Sequence, residues 1–129
     1  MNGATFDTGG LIAIDRGRFD VAAFAKQVLD RGYTIAIPAP VLSQAWRDGA
    51  TQVRLARFLA LEKVEVVPIT EEVAKRVGEI CRQTGTSDIV DVSVIWCAHK
   101  HRHTTIVTSD PGDMSKIDPQ IELLTIGKQ

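Results

Sequence analysis

The chain has 129 residues, enough for one domain with its own core and too few for two of ordinary size, so residues 1–129 read as a single unit. At 44% hydrophobic and 24% charged residues the composition is that of a globular protein, which excludes the disordered and membrane-spanning classes. A net charge of -1 excludes a global positive field, so any contact with nucleic acid has to be local.

In chain order, "ATFDTGGLIAI" reads as a short strand ending at Asp7, a small-residue turn and a short apolar helix. "FDVAAFAKQVLDRG" spaces Val21, Phe24, Val28 and Leu29 along one helical face and stops at Gly32. "YTIAIPAPVLSQAWRDG" gives a buried strand, a proline pair and a short helix carrying Val41, Leu42 and Trp46. "TQVRLARFLALE" follows as a helix with Thr51 as its expected cap, then "KVEVVPIT" as a third strand.

"TEEVAKRVGEICRQTG" is the clearest amphipathic helix, with Val73, Val77, Ile80 and Cys81 on one face and Glu71–Lys75 and Glu72–Arg76 paired four residues apart. "DIVDVSVIWCAHKHR" reads as a largely buried helix, "TTIVTSD" as a fourth strand, "PGDMSKI" as a loop or short helix and "IELLTI" as a fifth strand. Strands alternating with helices predict an α/β fold, with three α/β/α layers and a mainly parallel sheet of four to five strands.

The charge-free stretch from Gly32 to Trp46 is too short, and too broken by Pro38 and Pro40, to cross a bilayer. No basic region followed by an apolar one opens the chain, and Cys81 and Cys97 sit on helical faces as packing thiols, so a cytoplasmic protein with reduced cysteines is expected. His99, His101 and His103 read as a solvated helix end. A zinc site would want four Cys or His ligands, which the spacing of Cys97 and His101 does not supply.

Open parallel sheets bind ligands beyond the carboxyl ends of their strands, where the strand order reverses. Asp7 ends the first strand, Asp110 ends the fourth, and Asp88 and Asp91 open the helix between them on one helical face. Like charges about 4 Å apart repel by roughly 4 kcal/mol at an effective dielectric near 20, which a divalent cation would offset. Oxygen-only donors suit Mg²⁺ or Mn²⁺. The plainer reading makes Asp88 and Asp91 helix-capping acids and Asp7, Asp110 and Asp113 turn acids.

"TFDTGGLIAI", "SDIVDVSVIWCA" and "TTIVTSDPGDM", in this order and spacing, resemble the PIN-domain family, and the chain's size is that of its VapC-like toxins. The resemblance implies a Mg²⁺- or Mn²⁺-dependent endoribonuclease whose metal-site acids are Asp7, Asp91 and Asp110, with Asp88 as an added member and Asp113 as an accessory. Cleavage by activated water would leave 5′-phosphate and 3′-hydroxyl ends. The implied partners are an RNA substrate and a cognate antitoxin, and exposed apolar helix faces add the expectation of a symmetric dimer with a second copy of the chain.

One position departs from the family pattern. Where a Glu is usual after the second strand, this chain has Gln44, which can accept or donate a hydrogen bond but adds no charge. Gln44 keeps a second reading open, a PIN-like RNA- or protein-binding module with weakened catalysis. Asp15, after the first helix, is a candidate bordering acid, and Arg47, Arg54 and Arg57 are candidate contacts to RNA phosphate or an acidic partner. A phosphoacceptor signalling domain is disfavoured, because the third strand ends "VVPIT" without an acid.

Overall fold

The computed structural model of the chain describes residues 2–126. β1 (Gly3–Phe6), β2 (Thr34–Pro38), β3 (Val64–Val67), β4 (Thr105–Thr108) and β5 (Glu122–Thr125) form one sheet in the order β3-β2-β1-β4-β5. Every neighbouring pair is parallel, so the sheet is of one kind throughout. The helices are α1 (Thr8–Asp15), α2 (Phe19–Asp30), α3 (Ala39–Ala45), α4 (Val53–Leu59), α5 (Glu71–Thr84), α6 (Ile89–Lys100) and α7 (Pro111–Ile117).

Side chains alternate across a strand, and that alternation builds the layers. Phe6, Ile35, Ile37 and Val107 belong to the core on the α1, α2 and α4 side, where the Phe6 and Phe58 rings lie 5.5 Å apart. Ala36 and Val67 point the other way, against Trp96 and Cys97 of α6. Both faces of the strands are thus covered, which is why they read as continuous apolar runs.

Helix α6 buries Val92, Val94, Ile95, Cys97 and Ala98 on several sides, as its uninterrupted apolar sequence requires. Each large aliphatic side chain buried there contributes about 1.5–3 kcal/mol. Burial also pushes the Cys97 thiol up to about 12, so it packs as an inert group.

Several expectations are corrected. No separate turn follows Asp7: the helix starts at the next residue, because Asp7 is itself the N-cap. Gln52, not Thr51, precedes α4, and its Oε1 accepts from the Arg47 and Asp48 N–H groups at 2.6 and 2.9 Å. Helix α5 forms between the Thr70 cap and Gly85 (φ +74), with Lys75 paired to Glu71 at 2.8 Å. Of its expected apolar face only Val77 is buried, since the helix lies at the margin of the fold and packs on α6. "PGDMSKI" is a helix, α7, anchored by buried Met114.

Of the three histidines only His99 is solvated, its Nε2 lying 2.7 Å from Asp118; His101 is half-buried, with its Nε2 3.2 Å from Glu65. His103 is 3% exposed, with its ring nitrogens 3.0 Å from the Thr5 and Thr34 hydroxyls, pinning the start of β4 to β1 and β2. Burial, then neighbouring His101, lowers its pKa to about 4. Gly3 (φ +150) makes room for this ring, since a side chain there would collide with it and with the β2 backbone.

Among the described residues no helix is long and apolar enough to cross a membrane. With β2 on one side of β1 and β4 on the other, the strand order reverses at β1. The crevice at the carboxyl ends of β1 and β4 is the switch point where open parallel sheets bind ligands.

Candidate functional site

Asp7 stands at the floor of that crevice, 6% exposed. The ladder between β1 and β4 runs up to it, its own N–H donating to the Val107 carbonyl at 2.9 Å. Its Oδ1 accepts the Thr8 N–H at 2.7 Å and its Oδ2 accepts the Thr108 hydroxyl at 2.9 Å, so the carboxylate is held at both ends. Each oxygen retains a second lone-pair position. The glycine after Thr8 is sterically required: a side chain at Gly9 would run into Ser109, which follows β4.

The same three residues, Thr-Ser-Asp, precede α6 and α7. In both places the Asp backbone N–H donates to the Thr hydroxyl, Asp88 to Thr86 at 3.1 Å and Asp110 to Thr108 at 2.9 Å. Asp88 then caps α6, its Oδ1 accepting the Asp91 N–H at 3.0 Å. The capping role foreseen for Asp88 is real and uses one of its oxygens. Asp91, in the first turn of α6, shares a cleft of 330 Å³ with Asp88, Asp113 and Lys116.

The carboxylates feel one another. Burial chiefly raises the pKa of Asp7, with further upward pushes from Asp110 and Asp88 against the lowering effect of its two hydrogen bonds. Asp91 is pushed up to about 7, first by burial, then by the charges of Asp7 and Asp88, a hydrogen bond to Asp88 that favours the protonated form, and Asp113. Asp7, Asp88, Asp91, Asp110 and Asp113 therefore form one electrostatic group.

Among the described residues, no three carboxylate, imidazole or thiol groups stand ready-made to enclose a metal ion. The donor set nonetheless fits a hard divalent cation. It consists of oxygens only, carries a mutual repulsion that a cation relieves, and is open in the manner of Mg²⁺, which keeps several waters and needs one or two carboxylates. Asp7, Asp88 and Asp91 would hold it, with Asp113 in the cleft of Asp88 and Asp91 and Asp110 acting on Asp7 by its charge.

The other candidates are distributed more widely. Gln44 reaches the rim, its Oε1 accepting the Thr8 hydroxyl at 2.5 Å. Asp15 lies at the opposite end of α1 from Asp7, roughly 12 Å along the helix axis, and contacts Gln52 Nε2 at 3.4 Å. Arg47 folds back onto the Ser43 and Trp46 carbonyls at 3.0 and 2.6 Å. Arg54 and Arg57 border a groove of 690 Å³ between α1, α2 and α4, together with Phe19, Leu29 and Leu61. Neither Asp15 nor these arginines join the acid group.

The sequence reading missed Thr8 and Thr108, whose hydroxyls bond Gln44 and Asp7; for Thr108 the available signal was a Thr two residues before an Asp at a strand end. It also missed Phe19, 84% exposed beside the groove, by reading it only as the first residue of a helix.

The PIN domain family model matches residues 4–118. No curated protein matches the chain in sequence. Among solved structures, VapBC2 from Rickettsia felis, crystallised on a DNA fragment from its promoter, aligns at a TM-score of 0.63 and 21% identity, over 95% of this chain and 97% of that one. VapC20 from Mycobacterium tuberculosis, a Sarcin-Ricin loop cleaving toxin, aligns at 0.58 and 17% identity, over 81% and 87%. At these identities the likeness is one of fold.

Proposed function

The chain belongs to the PIN-domain family, and from that premise we propose that it is a Mg²⁺- or Mn²⁺-dependent endoribonuclease, the toxin of a toxin–antitoxin pair acting in the cytoplasm. The observation that carries the reading is the mutual charging of the acids at the switch point, with Asp91 pushed up to about 7. A divalent cation bound there would supply a water of low pKa and offset charge on the phosphoryl group under attack.

The chain's own residues supply the rest. Asp7, fixed by Thr8 and Thr108, presents its two free lone-pair positions from the rigid end of a strand. Asp91, its carboxyl pushed up to about 7, would be drawn to its ionised form by a cation held beside it. Asp110, at the N-cap position of α7, and Asp113, in its first turn, add negative charge beside Asp7 and Asp91, which a bound cation would offset for an approaching phosphate. The test is cleavage of a structured RNA with Mn²⁺, with chelator, and by Asp91→Asn: activity lost in the last two supports the enzyme, and RNA binding without cleavage in all three supports the binding module.

Gln44 gives that second reading its observation, a neutral amide at the rim of an acidic site. Gln44→Glu keeps an oxygen for the Thr8 hydroxyl and adds one charge. It is expected to bind Mn²⁺ about tenfold more tightly, worth about 1.4 kcal/mol, and to melt lower than the unsubstituted chain without metal. Titration calorimetry and thermal melts measure both.

For the antitoxin we assign the groove between α1, α2 and α4, on two grounds: Phe19 and Leu61 stand exposed at 84% and 47%, and Arg54 and Arg57 offer cations to an acidic segment. Phe19→Ala is expected to weaken antitoxin binding at least tenfold with little change in melting temperature, as read by calorimetry against the cognate peptide. A homodimer belongs to the same reading, and light scattering of the purified chain measures it.

A further inference from the structure

We propose that Thr108 is a positioning residue that locks the Asp7 carboxylate and the Asp110 backbone into one unit and thereby sets the site's affinity for its cation, an inference that rests on the metal-dependent reading above.

The direction of its hydrogen bonds is determined by chemistry. The Asp110 N–H can only donate, so it occupies a lone pair of Thr108 Oγ1, at 2.9 Å. The hydroxyl proton is then free for Asp7 Oδ2, which accepts it at 2.9 Å. The chain of donation runs from Asp110 N–H through the Thr108 hydroxyl to the carboxylate of Asp7. With Thr8 N–H on Oδ1 at 2.7 Å, both carboxylate oxygens are held and the plane of the group is defined.

Thr108 is well placed to do this. It is 0% exposed, and its carbonyl accepts the Ile126 N–H at 2.8 Å, so the hydroxyl projects from a paired strand and not from a loop. The contact joins residues 101 positions apart and spans the β1–β4 switch point. Buried hydrogen bonds of this kind orient metal-ligating carboxylates, and losing one typically weakens metal affinity about 10–100-fold. The Thr86 hydroxyl, in the matching position before Asp88, accepts an N–H in the same way but meets no carboxylate among the described residues, so between the two the coupling to a second carboxylate is particular to Thr108.

The test compares Mn²⁺ affinity, by electron paramagnetic resonance of free Mn²⁺, in the unsubstituted chain, Thr108→Val and Thr108→Ser, with metal-free melting curves for each. Thr108→Val keeps the shape and removes the hydroxyl; Thr108→Ser keeps the hydroxyl. The expected result is affinity at least tenfold weaker in Thr108→Val and within about threefold of the unsubstituted value in Thr108→Ser. Thr108→Ala gives the same comparison should the valine not fold. Unchanged affinity in the folded hydroxyl-free variant overturns the inference, as does equal loss in Thr108→Ser and Thr108→Val, which would mark a packing role. Absence of Mn²⁺ binding by the unsubstituted chain overturns the metal-dependent reading itself, and this inference with it.

Discussion

Asp91→Asn is expected to melt higher than the unsubstituted chain in metal-free buffer at pH 8 and to cleave RNA at least about 100-fold more slowly. Both effects have one origin. The fold holds Asp91 among Asp7, Asp88 and Asp113, partly buried, so its ionised form is disfavoured and its pKa stands at about 7. An acid whose pKa is raised in the folded state binds its proton more tightly there than in the unfolded chain. Between about pH 4 and pH 7 the stability therefore falls as pH rises, and above pH 7 the whole penalty is present. Discounted for solvent reaching the side chain, that penalty is about 2 kcal/mol, or roughly 5–8 °C of melting temperature. Asparagine removes the charge and the penalty, and with them the carboxylate that the proposed cation site needs.

The second large effect is at the opposite end of the sheet and has the opposite sign. His103 is buried against Thr5 and Thr34 with its pKa lowered to about 4. A base whose pKa is lowered in the folded state is protonated first in the unfolded chain. Its stabilisation is complete above about pH 6.5 and is lost as pH falls towards 4, an effect of about 3 kcal/mol. In the metal-free chain the Asp91 and His103 slopes oppose one another across this window. Asp91→Asn should unmask the histidine, so that its urea midpoint drops steeply between pH 6.5 and pH 4. His103→Gln should unmask the carboxylates, so that its midpoint rises over the same interval. Urea titrations at three pH values resolve the two, and parallel slopes in both variants would contradict the assignment.

Periodicity made most of the fold legible, because strands buried on both faces and helices buried on one or more sides leave plain apolar patterns. The apolar run of α6 and the short Val- and Ile-rich strands are of this kind. What escaped was decided by contacts between remote residues. His103 looked like part of a charged helix end, and only the approach of β1 and β2 turns it inward. Gln52 displaced Thr51 because a long amide can satisfy two N–H groups of the preceding turn at once.

The acid group was legible for a different reason. Carboxylates at strand ends and helix starts sit where a parallel sheet gathers them, so Asp7, Asp88, Asp91 and Asp110 could be named from position alone. Their partners could not, since a threonine at the end of a strand carries no sign that its hydroxyl will meet an aspartate 101 residues away. Asp15 failed to join the group because two turns of α1 carry it out of reach, towards Gln52. Asp113 proved closer to Asp91 than its turn-like sequence indicated, because "PGDMSKI" winds into α7 and brings it to the same cleft.

The claim on which the rest depends is that these acids share a divalent cation. Anomalous scattering from a crystal soaked in Mn²⁺ tests it most directly. The account predicts a peak bounded by Asp7, Asp88 and Asp91, with Asp110 or Asp113 reaching it through water, and no such peak in Asp91→Asn. A fully soaked crystal with manganese elsewhere on the surface and none among these carboxylates would contradict it.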